Sequence, residues 1–223
     1  MGSMIELRAA DGFTLSAYRA APTGASKGGL VVIQEIFGVN HHIRAVADRF
    51  AGLGYTVVAP ALFDRAEWGI DIGYDEAAVK RGVALRASIK LEDTLLDVDA
   101  AIRSIEGAGK IAVIGYCWGG SLAFLAATRL SGIAGAVGYY GGMIAAHAQE
   151  KPKVPVLLHF GEHDHGIPMA DVKKVIAARP EVQVFTYNAG HGFSCDERAS
   201  FDKASHEKAL GRTLAFLKEQ LGA

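Results

Sequence analysis

The segment from Ile111 to Ser121 constrains the fold of this chain more than any other stretch. A β-branched, apolar run ends in Gly115-Tyr-Cys-Trp-Gly-Gly120, and a helix-forming stretch follows up to Arg129. A strand, a tight turn and a helix in this order are typical of a nucleophile elbow of the G-x-S-x-G type, here with Cys117 in the serine position. Glycines flank the turn because side chains there would collide with the neighbouring strand or helix. The segment predicts a reactive cysteine whose thiolate is favoured by the dipole of the following helix. The alternative is a buried structural cysteine in a glycine-rich turn.

Length and charge limit the class of protein. The chain has 223 residues, 50% of them hydrophobic, which is enough for one sizeable core. Its net charge is −1 and it has no basic run, so nucleic acid and anionic membranes are not expected as partners. Its two cysteines suit a reducing cytosol better than a disulfide scaffold. We expect a cytoplasmic monomer or small homo-oligomer that takes a small-molecule substrate and uses no cofactor and no metal.

Hydrophobic periodicity predicts an α/β fold. Residues 1–3 resemble an expression scar, and residues 4–223 are expected to form a single domain. A short antiparallel hairpin is predicted around Asp11-Gly12. Apolar strand-like runs then alternate with helical patterns, which predicts a mostly parallel central sheet with helices on both faces. The predicted strands are 30–33, 56–59, 111–115, 134–139, 155–160 and 182–187. The predicted helices are 44–53, 91–105, 121–130, 169–178 and 201–217. Residues 63–88 are polar and poorly periodic, and we expect an active-site cap with its own helix there.

Two later loops carry the partners that a cysteine nucleophile needs. In hydrolases with this elbow the acid and then the histidine follow on loops after later strands. The predicted strand at 155–160 runs into a loop with Asp164, and the strand at 182–187 runs into Gly190-His191-Gly192. We therefore predict His191 as the general base and Asp164 as the acid that orients it. Turn or capping roles are the alternatives for both residues.

A zinc site is a competing interpretation of the segment around Asp164. His159-Phe-Gly-Glu162-His163 matches the H-x-x-E-H string of inverted zinc peptidases. That chemistry requires a helix, so that both histidines share one face. Here the string starts inside a β-branched run and contains a glycine, which disfavours a zinc site.

The loop after the first parallel strand predicts the remaining active-site groups, which are the oxyanion-hole donors and a carboxylate. Residues 34–40 follow that strand, and in such folds this loop supplies one oxyanion-hole N–H while the residue after the nucleophile supplies the other. The predicted donors are the backbone amides of Ile36 and Trp118. The carboxylate of Glu35 is expected near the sulfur, and a surface glutamate is the alternative.

Five motifs together resemble the dienelactone hydrolase family. They occur in the family's order and the similarity spans essentially the whole chain. The motifs are Gln34-Glu-Ile-Phe-Gly-Val-Asn40, Gly115-Tyr-Cys-Trp-Gly-Gly120, Val137-Gly-Tyr-Tyr-Gly141, the Gly161 to Pro168 segment and Gly190-His-Gly-Phe193.

The resemblance implies both a fold and a reaction. The implied fold is the α/β-hydrolase fold, and the implied activity is hydrolysis of a carboxylic ester or lactone through a thioester acyl-enzyme. Cys117, Asp164 and His191 would be the triad. Glu35 would be a fourth active-site member that holds the resting thiol away from the histidine until substrate displaces it. Such protection guards a reactive cysteine against oxidation.

The chain departs from the family at the residues that grip the substrate. Members that act on dienelactone have an arginine four residues after the histidine, where this chain has Cys195. Arg81 falls about where the family's second arginine, from the cap, would lie. The candidate substrate-binding residues are therefore Arg81, Phe193 and Arg198, and dienelactone itself is not predicted as the substrate.

A non-catalytic function is the rival hypothesis. A binding or redox-sensing protein on the same fold would use Cys117 as an oxidation switch and Cys195 as a resolving thiol. Acylation by an activated ester favours the enzyme, whereas a peroxide-induced disulfide without turnover favours the sensor.

Overall fold

The structure is a computed structural model that describes residues 2–222. The chain divides into two compact units, which meet in the sequence between Ile111 and Ala112. The single-domain organisation therefore stays a prediction. No helix within the described residues has both the length and the apolar character that crossing a membrane requires.

The first unit is built around four strands in the spatial order β1-β2-β4-β3. They are β1 (Ser3–Arg8), β2 (Thr14–Ala20), β3 (Gly29–Ile33) and β4 (Thr56–Pro60). β2 pairs antiparallel with β1 and β4, whereas β3 and β4 are parallel. The predicted N-terminal hairpin is confirmed. Its turn requires Gly12, whose φ of 88° lies in the left-handed region that other residues rarely adopt.

Helices cover the first unit's parallel strands. Every residue of β3 and β4 is buried, so both faces of these strands are covered. The helices of this unit are α1 (His41–Gly52), α2 (Glu76–Ser88) and α3 (Leu91–Ser104), of which α1 and α3 pack against the strands. Two short 3₁₀ helices lie at Leu62–Arg65 and Glu106–Ala108. α1 starts three residues earlier than predicted, because the side chain of Asn40 accepts a hydrogen bond from the Ile43 N–H and caps the helix.

The second unit is wholly parallel. Its strands follow the order β5-β6-β7-β8, and each pairs in parallel with the next. They are β5 (Ile111–Tyr116), β6 (Gly135–Tyr139), β7 (Val156–Gly161) and β8 (Gln183–Tyr187). The helices are α4 (Trp118–Arg129), α5 (Met169–Ala178) and α6 (Lys203–Leu221), with a 3₁₀ helix at Ile144–His147. Among the described strands only β2 pairs in antiparallel fashion, with β1 and β4, so the predicted mostly parallel α/β fold is confirmed.

A buried hydrogen-bonded network ties the ends of β6, β7 and β8 to α6. His159 of β7 has no exposed surface, and its Nδ1 lies 2.8 Å from the Tyr187 hydroxyl. Its Nε2 lies 3.1 Å from Thr213 Oγ1, which lies 2.6 Å from the Tyr139 hydroxyl. Arg212 donates to the Tyr187 hydroxyl over 3.0 Å. These strands end immediately before the loops of the second unit. The network therefore holds in place the strand ends from which those loops start.

Burial sets the protonation state of His159, and the direction of the hydrogen bonds sets which ring nitrogen carries the proton. Burial, with a smaller contribution from the charge of Arg212, lowers the pKa of His159 to about 3, so the imidazole is neutral. Arg212 has only N–H donors, so the Tyr187 hydroxyl accepts from it and donates its own proton to Nδ1 of His159. The imidazole therefore carries its proton on Nε2 and donates it to Thr213.

The lowered pKa of His159 predicts how stability depends on pH. Between pH 6.5 and about 3 the unfolded chain binds a proton at this residue and the folded chain does not, so stability falls as pH falls. His159→Gln keeps a donor and an acceptor but removes this titration. Below pH 6.5 the free energy of unfolding of the wild type should fall more steeply than that of the variant, by up to about 1.4 kcal/mol per pH unit. Urea unfolding at pH 4.5, 5.5 and 6.5 measures this, and parallel curves would contradict it.

Candidate active site

Cys117 occupies a strained turn between β5 and α4. Its φ of 54° and ψ of −115° are rare for a residue with a side chain, and such strain costs about 1–3 kcal/mol. α4 starts at Trp118, directly after the cysteine and three residues earlier than predicted. A Cβ atom at Gly115 would overlap the backbone of Gly119 and lie 2.8 Å from the Gly120 nitrogen. The close approach of α4 therefore explains why the position before the turn requires glycine, as the sequence predicted.

The start of α4 also lies against β6. A Cβ atom at Gly120 would overlap the carbonyl oxygen of Tyr139, and one at Gly138 would lie 2.8 Å from the carbonyl oxygen of Gly120. The N–H of Cys117 donates to the Tyr139 carbonyl over 3.0 Å. The end of β6 thus holds the cysteine's backbone in place.

Asp164 lies in a turn after β7 that leaves its side chain fully buried. Its N–H donates to the Gly161 carbonyl over 3.4 Å, and its own carbonyl accepts from the Ile167 N–H over 3.2 Å. One carboxylate oxygen, Oδ1, accepts from the Gly166 N–H over 2.8 Å. The turn therefore leaves the other oxygen, Oδ2, for the histidine.

His191 joins Asp164 to Cys117. Its Nδ1 donates to Oδ2 of Asp164 over 2.6 Å, and its Nε2 lies 3.1 Å from Sγ of Cys117. The imidazole is 29% exposed, so one edge remains open to solvent. The structure thus brings Cys117, His191 and Asp164 together in one hydrogen-bonded line.

The electrostatics of this line favour a protonated histidine. Burial lowers the pKa of His191, but the hydrogen bonds to Asp164 and Cys117 and their charges outweigh that effect and raise it to about 10. A proton that His191 takes from the sulfur therefore stays on the imidazole at neutral pH. The imidazolium of His191 can therefore hold the proton until it transfers it to a leaving group.

Tyr140 is a neighbour of the site that the sequence did not single out. Its φ of 39° and the φ of Cys117 are the positive values recorded for non-glycine residues in the described part of the chain. Its ring centroid lies 5.0 Å from that of His191, and its N–H donates to the His159 carbonyl over 2.7 Å. The ring therefore forms one wall against the imidazole. The only available signal was the pair of glycines at 138 and 141 that flank the two tyrosines.

Three predicted residues lie on the His191 loop with different surroundings. Phe193 has no exposed surface and packs against the rings of Tyr140 and Tyr187, with centroids 5.4 and 5.1 Å away. It supports the loop rather than presenting a surface to substrate. The Arg198 guanidinium lies over Gly192, where an added Cβ atom would be 2.6 Å from Nη1. Cys195 is a fully buried thiol, so an arginine at that position would overpack its surroundings.

The remaining predicted residues belong to other elements. Glu35 follows β3 and its side chain has no exposed surface, so the alternative of a surface glutamate is wrong. Ile36 is partly exposed, and Trp118 is the buried first residue of α4. Arg81 lies on α2, about half exposed, and its Nη2 pairs with Glu67 over 2.6 Å. A substrate carboxylate at Arg81 would therefore compete with Glu67.

The H-x-x-E-H string does not have the geometry of a zinc site. Both ring nitrogens of His159 are engaged in the buried network. Glu162 accepts from Thr186 over 2.7 Å, and Nε2 of His163 lies 2.6 Å from the Asn188 side-chain oxygen. The string spans the end of a strand and a turn rather than a helix. Its residues therefore serve the fold.

Comparison with known proteins identifies the family of this chain. The model of the dienelactone hydrolase family matches residues 15–221. Carboxymethylenebutenolidases of Pseudomonas putida and Pseudomonas knackmussii are each 33% identical, with 96% of this chain and 94% of each relative covered. The crystal structure of a putative dienelactone hydrolase from Klebsiella pneumoniae superimposes with a TM-score of 0.85 at 27% identity, covering 96% of this chain and 98% of that one. The α/β-hydrolase fold is confirmed, and the chain belongs to the dienelactone hydrolase family of ester and lactone hydrolases.

Proposed function

We propose that this protein hydrolyses a carboxylic ester or lactone through a Cys117-His191-Asp164 triad and a thioester acyl-enzyme. The observation that carries the proposal is the hydrogen-bonded line from Cys117 Sγ to His191, 3.1 Å, and from His191 to Asp164, 2.6 Å. Nucleophile, base and orienting acid in this geometry are what covalent acyl transfer requires. A cytoplasmic location, a monomer or small homo-oligomer and independence of cofactors stay predictions from the sequence.

Acylation begins with proton transfer from the thiol to Nε2 of His191. The sulfur attacks the carbonyl carbon, and the carbonyl oxygen becomes an oxyanion that accepts hydrogen bonds from the N–H groups of Ile36 and Trp118. Each such donor contributes about 3–4 kcal/mol to the stability of the transition state. The tetrahedral intermediate collapses, the C–O bond breaks, and His191 gives its proton to the leaving alkoxide.

Deacylation repeats these roles with water as the nucleophile. His191 takes a proton from water, and the hydroxide attacks the thioester carbon. The carbon–sulfur bond breaks, the carboxylic acid leaves, and the proton returns to the sulfur. Asp164 stabilises the imidazolium in both halves, because its buried Oδ2 accepts from Nδ1 while Oδ1 is held by the Gly166 N–H.

Glu35 is proposed as a restraint on the resting thiol. Family resemblance suggests this role, and its complete burial supports it, because a buried carboxylate needs a compensating role or partner. In the structure the sulfur already lies 3.1 Å from Nε2 of His191. In this proposal that conformation is the released thiol, and the restrained thiol of the free enzyme is a second position that substrate abolishes by displacing the carboxylate.

The substrate is proposed to be an uncharged ester rather than a carboxylate-bearing lactone. Cys195 stands where an arginine would grip a carboxylate, and its uncharged, buried thiol offers no such contact. A bidentate guanidinium–carboxylate contact is worth about 1.5–3 kcal/mol, so its absence removes about 10–150-fold in kcat/KM.

Cys117→Ala tests the nucleophile. Turnover of p-nitrophenyl acetate should be abolished, because the covalent step is deleted, while the fold persists because little volume is removed. Intact mass after brief exposure of the wild type to the ester should show one acyl group, on Cys117. The matched control is Cys195→Ala, which removes the other thiol and should keep both the acyl group and turnover. Turnover by Cys117→Ala at the wild-type rate would refute the triad. A Cys117–Cys195 disulfide formed by peroxide, without ester turnover, would favour the redox-sensor hypothesis.

Glu35→Gln tests the restraint. Removing the negative charge beside a thiol changes both its proton affinity and its position. We expect ester turnover to fall at least five-fold, roughly the effect of losing 1 kcal/mol, and the rate of iodoacetamide alkylation of Cys117 in the free enzyme to change. Glu92→Gln, an exposed glutamate in the first turn of α3, is the control. If Glu35→Gln matches that control in both rates, Glu35 has no role at the sulfur.

Two esters with one leaving group test the substrate class. p-Nitrophenyl butyrate and p-nitrophenyl hemisuccinate have acyl chains of equal length, and the second carries a carboxylate. The wild type should show kcat/KM for the butyrate equal to or above that for the hemisuccinate. A ten-fold preference for the hemisuccinate would overturn the argument, and Arg198→Gln and Arg81→Gln would then identify the cation.

A further inference from the structure

The loop of residues 34–40 is held by a later segment of the same unit. Its backbone bonds to residues 70–72, where the Phe37 carbonyl accepts from the Ile72 N–H over 3.1 Å and Gly38 forms an isolated antiparallel bridge with Asp71. Gly38 has a φ of 81°, and a Cβ atom there would overlap the Ile70 carbonyl oxygen. The loop that follows β3 is thus paired with the chain beyond β4.

Side chains strengthen this attachment. The Asn40 side chain donates to the Tyr74 hydroxyl over 2.9 Å, and the rings of Phe37 and Tyr74 meet edge to face with centroids 4.6 Å apart. Arg44 donates to the Val39 carbonyl over 2.6 Å and pairs with Asp71 over 2.8 Å. Phe37 and Asn40 are buried, so their contacts with Tyr74 are partly sheltered from water, whereas the Arg44–Asp71 pair is exposed.

Helix α2 completes the attachment through one glycine. Gly82 is the single buried residue recorded on α2, and a Cβ atom there would overlap the Ile36 carbonyl oxygen and lie 3.0 Å from its carbonyl carbon. Glycine in a helix interior is less stable than alanine. The close approach to Ile36 explains why this position has no side chain.

We propose that residues 70–82, here called the brace segment, set the position of the Ile36 peptide for oxyanion binding, with Gly82 as a positioning residue. The inference rests on the proposed function, in which the Ile36 N–H is an oxyanion donor. The amide nitrogen and the carbonyl carbon of Ile36 are bonded to the same Cα atom. A side chain that displaces the carbonyl therefore also moves the N–H. A misplacement of about 1 Å at such a group can change the rate by about 100-fold.

Gly82→Ala is the direct test. The added methyl group should displace the Ile36 carbonyl and lower kcat for p-nitrophenyl acetate 10–100-fold. Alkylation of Cys117 by iodoacetamide forms no oxyanion, so its rate should stay within two-fold of the wild type. The matched control is Gly211→Ala on α6, another glycine inside a helix, where an added Cβ atom meets nothing within 4 Å. The control should keep full activity and an equal or higher melting temperature.

Tyr74→Phe is the second variant. It removes the hydroxyl that accepts from Asn40 but keeps the ring against Phe37, and we expect kcat to fall 3–10-fold with alkylation unchanged. It decides the question if Gly82→Ala does not fold.

Two results would overturn the role of the brace segment. One is ester turnover within two-fold of the wild type in a folded Gly82→Ala, or in Tyr74→Phe where the first variant does not fold. The other is a parallel loss of ester turnover and Cys117 alkylation, which would place the damage at the nucleophile. Failure of the triad itself shows separately, as activity retained by Cys117→Ala.

Discussion

The left-handed backbone at Cys117 is the constraint on which the second unit depends. A turn this tight brings the start of α4 directly over the end of β5 and against β6, and glycines at 115, 120 and 138 make that approach possible. The strain of about 1–3 kcal/mol needs a rigid surrounding. Helix α4 provides this rigid surrounding, because eleven of its twelve residues are buried. The helix therefore stabilises the fold and, through its position, presents the sulfur.

The rest of the candidate triad relies on how the strand ends are fixed. Tyr139, at the end of β6, accepts the Cys117 N–H through its carbonyl and reaches Thr213 of α6 through its hydroxyl. His159 accepts the Tyr140 N–H through its carbonyl and reaches the same threonine through its ring. Tyr139 and His159 thus each connect a turn at the strand ends to helix α6. Functional groups on such supported ends keep their geometry better than groups on isolated loops.

Much of this arrangement was accessible from the sequence because local patterns determine it. Continuous β-branched runs predicted the buried strands, and the glycines around Cys117 predicted the elbow. The proximity of Asp164 and His191 followed from the rule that the carboxyl ends of parallel strands share one edge. The helix starts at 41 and 118 were misplaced, because Asn40 and the glycines after Cys117 read as loop residues until the capping bond and the packing of α4 are known.

Other features depend on contacts that no local pattern contains. A tyrosine rarely adopts positive φ, so nothing in Gly138-Tyr-Tyr-Gly141 revealed the conformation of Tyr140 or its contact with His191. Phe193 follows His191 closely and was expected in the pocket, yet aromatic neighbours from β6 and β8 bury it. His159 resembled a metal ligand because a string of letters cannot show that both of its nitrogens already have partners.

The single anchored position of α2 has a consequence for how this family can diversify. Eight of the thirteen residues of α2 are exposed, four are partly buried and Gly82 is buried, so the exposed positions of the helix can be exchanged with little effect on the interior. Variants of this protein made to accept new esters can change those exposed positions while keeping glycine at 82. Directed evolution that randomises α2 around an invariant Gly82 would therefore sample substrate preference at little risk to folding.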